Sequence, residues 1–155
     1  EEYSASQRAI SFSPSGSLVA ISRGRTVGLW KCAKGGLTKQ HVVASEEQHG
    51  SDIRDLLFTP DGGKLVTMDD EGCCVWKLAD YSLLAKFSST DDAKDVKGPK
   101  FRGMSFDTEE ALLYTLASHA SRQGSAGYVS TRKISDDQPT VVRSSKVVSA
   151  AATSL

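Results

Sequence analysis

A repeat of 46 residues is the feature that most restricts how this chain can fold. The segments ISFSPSGSLVAISRGRTVGLWKC and LLFTPDGGKLVTMDDEGCCVWKL share one layout. In each, Phe-x-Pro and a glycine turn precede an apolar run, a second turn and an apolar stretch that ends in Trp-Lys. Phe12 and Phe58 are 46 residues apart, and so are Trp30 and Trp76. Because two landmarks keep one spacing, the chain is predicted to consist of stacked copies of one unit.

A third and less regular copy begins at FRGMSFDTEEALLYTLAS, where Phe106 follows Phe58 by 48 residues. Its last predicted strand, GYVSTRKI, has Arg132-Lys133 where the other copies have Trp-Lys. Arg132 follows Trp76 by 56 residues, so this copy carries an insertion. We predict that the insertion is SHASRQGSAG, a polar Ser/Gly-rich loop. The run VVSAAATSL then looks like the first strand of a fourth copy.

Each unit resolves into four short strands. Proline sets φ at its turn position and glycine tolerates positive φ, so the Pro-Asp-Gly-Gly and Asp-Asp-Glu-Gly stretches are predicted turns. Several runs are apolar at every position, which is typical of a strand in a sheet packed between two others. In the second unit, the predicted strands are 53–58, 64–68, 73–78 and 82–87.

Four strands over roughly 40–45 residues, ending in Trp and a polar residue, form the WD-repeat pattern. Sheets of this kind pack radially as the blades of a β-propeller. We therefore predict an all-β fragment of a WD-repeat β-propeller. Its blade-like units cover about 8–48, 49–97 and 98–148, and 149–155 starts a further blade. Since propellers use roughly 4–8 blades, we expect a piece of a larger protein that folds poorly alone.

In WD repeats, an aspartate in the turn before the Trp strand pairs with a histidine of the preceding loop. The histidine bonds on toward a Ser or Thr and the Trp. His49, Thr67, Asp70 and Trp76 stand at suitable positions in the second copy. We predict that they form this structural network. The first copy has Gly24 where Asp70 stands, and the third has no Trp.

Composition argues against several functional classes. Nineteen basic and nineteen acidic residues cancel, so we expect no nucleic-acid partner. The three cysteines, Cys32, Cys73 and Cys74, include no Cys-x-x-Cys pair. This argues against a zinc site or a disulfide framework and favours a reducing compartment. We predict that the adjacent Cys73 and Cys74 are packing residues on opposite faces of a strand.

No residue pattern predicts a catalytic, cofactor-binding or metal-binding site within the segment. His41, His49 and His119 lack metal-ligand spacing, and no nucleophile elbow or phosphate-binding glycine loop occurs. The pairs Asp91-Asp92 and Glu109-Glu110 are interpreted as solvated loop charges. An enzyme with bond-making chemistry is therefore the last of the functional alternatives.

Rim loops are the usual binding surface of a propeller, because the scaffold fixes their position. Arginine is enriched at binding hot spots. On the rim that carries His49, the predicted partner-binding residues are Arg23, Arg25, Arg54 and Arg122.

The stretch IRDLLFTPDGGKLVTMDDEGCCVWKL, followed by YSLLAKF, resembles the prolactin regulatory element-binding protein family. FRGMSF, GYVSTRKI and VVRSSKVVSAAATSL continue the resemblance in the same order. Members of this family are endoplasmic-reticulum membrane proteins with a cytosolic WD-repeat propeller. They act as guanine-nucleotide exchange factors for the Sar-type small GTPase and start COPII coat assembly. The resemblance implies this GTPase as partner, the cytosolic face of the endoplasmic reticulum as location, and a regulatory role without bond-making chemistry.

The resemblance also implies two features that these residues do not match. The family's catalytic element resembles a potassium-binding loop, which would lie before Glu1, and its membrane helix would lie after Leu155. No catalytic residue is therefore carried over, and the segment would supply propeller wall and part of the GTPase-facing rim. The alternative is a generic WD-repeat adaptor or scaffold, such as a ubiquitin-ligase substrate receptor, because fold does not decide function. A sequence-specific DNA binder, suggested by the family's name, conflicts with the zero net charge.

Overall fold

The computed structural model describes residues 9–44, 47–94, 96–121, 124–135 and 140–151. These residues form three four-stranded antiparallel sheets. The first sheet contains β1 (Ile10–Phe12), β2 (Leu18–Arg23), β3 (Thr26–Ala33) and β4 (Gly36–Ala44). The second contains β5 (Asp55–Phe58), β6 (Lys64–Met68), β7 (Gly72–Lys77) and β8 (Leu83–Ser88). A short helix, α1 (Ser89–Asp92), precedes the third, which contains β9 (Lys100–Asp107), β10 (Leu112–Ser121), β11 (Gly124–Lys133) and β12 (Thr140–Ala151).

The sheets are arranged like the blades of a fan. Within each sheet the strands pair in chain order. The first strands of neighbouring sheets contact each other, β1 with β5 and β5 with β9. The first strands are therefore innermost and the last strands outermost, which confirms the predicted all-β organisation in three four-stranded blades.

Local turn chemistry explains why the strands of the second sheet end where they do. The β5–β6 connection begins at Thr59, whose hydroxyl donates to Asp61 Oδ1 at 2.6 Å. The same oxygen accepts the N–H of Gly63 at 2.9 Å. Gly62 has φ of 72°, a conformation that glycine adopts without a steric penalty. Each predicted strand of this sheet overlaps an observed one, and β6 has the predicted bounds.

The core lies between the sheets, with the second sheet buried on both faces. Every residue of β6 is buried, as expected for a strand covered on two sides. One face packs against the first sheet through Leu65 and Trp76, which belong to one core cluster with Leu29. The other face packs against the third sheet, where Val66 and Leu113 belong to one cluster. Transfer of this apolar surface from water is the main stabilising contribution.

The predicted insertion in the third unit is paired strand rather than loop. β10 and β11, each ten residues long, form a hairpin in which His119 pairs with Ala126 and Ser121 with Gly124. The backbones of the described inserted residues pair across this hairpin, so a Ser/Gly-rich composition does not require irregular structure here. Residues 122 and 123, at the tip, lie outside the described residues.

The outer strand of the third sheet also differs from the prediction. β12 continues to Ala151, and Ala151 pairs with Gly124 of β11. Residues 149–151 therefore extend the third blade instead of starting a fourth, because the lengthened β11 offers them a partner. Residues 152–155 lie outside the described residues.

We predict that the 155-residue chain self-associates when it is produced alone. Ile10 and Phe12 of β1 are 62% and 60% exposed, and Leu116 of the third sheet is 40% exposed. Apolar sheet faces and strand edges of this kind favour association. Sedimentation velocity should show species larger than a monomer at micromolar concentration. A monomer with a sharp two-state thermal transition would contradict this prediction.

Candidate functional site

His49 is at the centre of a buried hydrogen-bond network in the second sheet. Its Nδ1 is 3.1 Å from Asp69 Oδ2, and its Nε2 is 2.7 Å from Thr67 Oγ1. Trp76 Nε1 donates to the same Thr67 oxygen at 3.0 Å. One tautomer satisfies all these groups: Nδ1–H donates to Asp69, while Nε2 accepts from the Thr67 hydroxyl. The structure therefore brings together three of the four predicted network residues.

The acidic member of the network is Asp69, so the prediction of Asp70 was wrong. Asp69 directly follows β6, and its side chain turns inward and is only 2% exposed. Its carboxylate accepts four backbone N–H groups, from Gly50 at 2.8 Å, Ser51 at 3.4 Å, Glu71 at 2.8 Å and Gly72 at 2.5 Å. It thus ties the β4–β5 loop to the β6–β7 turn.

The hydrogen bonds of Asp69 determine its charge state. Burial alone would raise the pKa of this carboxyl group. The hydrogen bond from His49 and those from the N–H groups of Glu71 and Gly72 oppose burial and outweigh it. The pKa of Asp69 therefore lies well below its ordinary value, and the group stays ionised at neutral pH.

Asp70 instead forms an exposed cluster with two cations. Its Oδ1 is 2.5 Å from Arg54 Nη1, and its Oδ2 is 3.0 Å from Lys100 Nζ. Its backbone oxygen accepts the N–H of Phe101 at 2.7 Å. Asp70 therefore connects the β6–β7 turn to the starts of the innermost strands β5 and β9. Burial would raise the pKa of Asp70, but the bonds from Lys100 and Arg54 lower it below its ordinary value.

The third blade has a different buried network, which the sequence analysis missed. By strand register, Thr115 occupies the place of Thr67, and Arg132 occupies the place of Trp76. Arg132 Nη1 is 3.1 Å from Asp92 Oδ2 and 3.0 Å from Thr115 Oγ1, and Nη2 contacts Asp92 Oδ1. The Thr115 hydroxyl donates to Asp92 at 2.7 Å. The third blade thus has a charged arginine, paired with Asp92, where the second blade has the uncharged Trp76.

This network corrects the interpretation of Asp91-Asp92 as solvated loop charges. The side chain of Asp92, the last residue of α1, is only 1% exposed and pairs with Arg132 of the third sheet. Arg132 also lies over the Phe87 ring, 4.0 Å from its centroid, in a cation–π contact. Asp91 does lie near the surface, where it accepts from Ser88 N at 2.8 Å and caps α1. An arginine in the buried Trp position was the one sequence signal that could have revealed the pair.

Two of the four predicted rim arginines come together. We call the rim at which β5 begins, and which carries the 69–71 turn, the upper rim. Arg25 and Arg54 both line a cavity of about 600 Å³ on it. Arg23 borders a separate cavity of about 430 Å³, which the half-buried Trp30 of the first sheet also lines. Arg122 lies outside the described residues.

Comparisons with known proteins identify the fold and no family. No protein-family profile matches the chain, and no curated protein matches it. The structure of U3-55K matches with 15% identity and a TM-score of 0.67, over 93% of this chain and 40% of that chain. A putative 6-phosphogluconolactonase from Bacteroides fragilis matches with 17% identity and a TM-score of 0.67, over 93% and 40%. One from Bacteroides uniformis matches with 13% identity and a TM-score of 0.64, over 91% and 41%.

The chain has the fold of a β-propeller fragment with three four-stranded blades. It spans about 40% of the propeller chains that it matches. Sequence identities of 13–17% establish the fold alone, because proteins with one fold can have unrelated functions.

The other two histidines of this propeller segment lie away from the buried networks. His41, on the outer strand β4, is exposed and stacks on Tyr81 with ring centroids 3.9 Å apart. His119 lies within β10 and not in a loop. Among the described residues, no group of three His, Cys, Asp or Glu side chains could hold a metal ion. None of the helices in these ranges is long and apolar enough to cross a bilayer.

The two cysteines of the second blade are buried and pack in the core. Cys73 and Cys74 are both buried in β7; Cys74 belongs to the core cluster shared with the first blade, and Cys73 belongs to a cluster shared with the third. Burial raises the pKa of the Cys74 thiol to about 11 and also raises the pKa of Cys73. Since the thiolate is the reactive form, neither group is primed for chemistry.

We therefore predict that Cys73 and Cys74 resist alkylation in the folded protein. Iodoacetamide labelling, followed by peptide mapping, should modify them only at urea concentrations that unfold the propeller. The side chains are inaccessible and the thiols are protonated near neutral pH. Labelling in native buffer at the rate of an exposed thiol would contradict this.

Proposed function

We propose that this chain is the cytosolic propeller segment of a guanine-nucleotide exchange factor for a Sar-type small GTPase, at the endoplasmic-reticulum membrane. The sequence resemblance described above supports the choice of partner and location. Activation of the GTPase would then start COPII vesicle formation. The fold is compatible with this role, because propeller rims present loops on a rigid scaffold.

One observation carries the protein-binding role. Arg25 and Arg54 border the same cavity of the upper rim, next to a loop held from beneath by Asp69. Arg54 is 40% exposed although it is paired with Asp70. Such an arginine can contact a partner without reorganisation of the backbone, which lowers the entropic cost of binding.

Exchange would follow from differential affinity. A rim that binds the nucleotide-free GTPase more tightly than the nucleotide-bound form lowers the affinity of the GTPase for nucleotide by the same factor. The chain has no match for the potassium-binding loop of the resembled family. This segment would therefore act by positioning the GTPase on the rim.

Release of fluorescent GDP from a Sar-type GTPase tests the proposal. The complete cytosolic region that contains this chain is added with excess GTP, and an unrelated small GTPase is the control. We expect accelerated release from the Sar-type GTPase alone. Arg54→Ala should reduce this acceleration. Arg143→Ala, at an exposed position on the outer strand β12, should leave it unchanged. No acceleration by a folded protein would overturn the proposal and favour the adaptor alternative.

A further inference from the structure

Two cavities of the upper rim share Gly50 as a wall. The first, of about 600 Å³, lies between the first and second blades and is bordered by Arg25 and Arg54. The second, of about 360 Å³, extends over the second blade toward α1 and is bordered by Glu71 and Asp91. Because Gly50 borders both, the two cavities adjoin at this residue. We call the adjoining pair the Gly50 trough and define it by these five residues.

The walls of the Gly50 trough are held in place from below. Asp69 accepts the N–H of Gly50 on one of its oxygens at 2.8 Å and that of Glu71 on the other at 2.8 Å. Lys86 Nζ donates to the carbonyl of Gln48 at 2.7 Å and holds the same loop from the side. A site whose backbone is fixed before binding loses little conformational entropy when it is occupied.

The two ends of the trough differ in charge. At the first end, Lys100 adds a second cation to the Arg54–Asp70 pair. The charged side chains there are Arg25, Arg54 and Lys100 against Asp52 and Asp70. At the second end, they are Asp69, Glu71 and Asp91 against Lys86. The four charges that line the first end balance, so its excess of one positive charge comes from Lys100 beside Asp70, whereas the end toward α1 has an excess of two negative charges.

The centre of the trough has no side chain. A Cβ built at Gly50 would meet no atom within 4 Å, so the space above this residue is open. Glycine at such a point lets another backbone approach closely. The trough is open and has charged side chains at both ends, unlike the enclosed apolar pockets that take small molecules. These properties fit an extended polypeptide.

We propose that the Gly50 trough binds an extended segment of a partner protein with charges of opposite sign. An acidic side chain of that segment would lie at Arg25 and Arg54, and a basic one at Glu71 and Asp91. Complementary charges at two separated points fix the register and direction of the segment. The inference rests on the proposed partner-binding role of this rim, but it does not require the partner to be a GTPase.

Peptide binding to the complete protein tests the trough directly. The probes are three fluorescein-labelled peptides of equal length: one with an acidic and a basic half, one uniformly acidic and one uniformly basic. Fluorescence anisotropy should show that the two-signed peptide binds about tenfold more tightly than either uniform peptide at low salt. Equal affinities for the three peptides would overturn the proposal.

Matched glycine substitutions locate the binding. Gly50→Trp fills the trough, while Gly35→Trp places the same side chain in the β3–β4 turn at the opposite rim, where a Cβ also meets no atom within 4 Å. Gly50→Trp should lower the affinity for the two-signed peptide by about tenfold, and Gly35→Trp should leave that affinity unchanged. Glu71→Gln, at an exposed position, removes a charge without adding bulk and should also lower the affinity for this peptide. Unchanged binding by both Gly50→Trp and Glu71→Gln would refute the trough as the site.

The exchange assay separates this inference from the proposed function. If the wild type accelerates GDP release, Gly50→Trp should reduce the acceleration and Gly35→Trp should not. Full acceleration by Gly50→Trp, with no peptide selectivity, would overturn the trough and leave the exchange factor standing. No acceleration by the wild type, with selective peptide binding, would overturn the GTPase as partner and leave the trough standing.

Discussion

Replacing Arg132 by alanine is expected to destabilise the protein by about 3–5 kcal/mol, the usual cost of removing one partner of a buried ion pair. Arg132 and Asp92 are 2% and 1% exposed, and the guanidinium contacts both carboxylate oxygens. After the substitution, Asp92 would be a buried charge that keeps the Thr115 hydroxyl as a donor. Urea unfolding of the complete protein, followed by tryptophan fluorescence, measures the loss.

The neighbouring residue provides the control for this prediction. Lys133 is exposed, so Lys133→Ala should change stability by less than about 0.5 kcal/mol. The double variant Asp92→Leu/Arg132→Met removes both charges. Its loss of stability should be smaller than the sum of the losses of Asp92→Leu and Arg132→Met. Additive losses, or an Arg132→Ala variant as stable as Lys133→Ala, would show that the ion pair does not hold the third blade.

Local sequence chemistry explains how much of the fold could be predicted. The strands of the second blade are bounded by turns in which Thr59, Asp61 and Gly62 make contacts within a few residues, and such turns can be identified from sequence. The tip of the β10–β11 hairpin, residues 118–121 and 124–127, could not be predicted, because its serine, alanine and glycine residues carry no strand preference. Their pairing with each other depends on register, which composition does not specify.

Two details of the buried networks were beyond the sequence for different reasons. The 69–71 turn offers adjacent aspartates, and the one that turns inward depends on where β6 ends, at the pairing of Met68 with Cys73. Asp92 and Arg132 are 40 residues apart, so no local pattern links them. His49, Thr67 and Trp76 could be predicted, because the WD-repeat pattern specifies residue types at these places.

Asp69→Asn is expected to destabilise the protein by about 3 kcal/mol, whereas Asp70→Asn should cost less than about 1 kcal/mol. The substitution at Asp69 would keep the shape of the side chain but replace one carboxylate oxygen by an amide NH₂ group. That group would face backbone N–H donors, either those of Glu71 and Gly72 or that of Gly50. Asp70 pairs with Arg54 and Lys100 at the surface, where water and salt screen the charges.

The pH dependence of this pair of variants provides a second readout. The folded-state pKa of Asp69 is lowered, so its stabilisation is complete above the unfolded-state pKa of about 4 and is lost as the pH falls below that value. The stability difference between wild type and Asp69→Asn should therefore be constant from pH 7 to 5 and shrink toward pH 3. Urea midpoints of the wild type, Asp69→Asn and Asp70→Asn at pH 7, 5 and 3 measure this difference. If Asp70→Asn were the more destabilising variant, or if the Asp69→Asn difference grew in acid, the assignment of Asp69 as the charged centre of the network would be wrong.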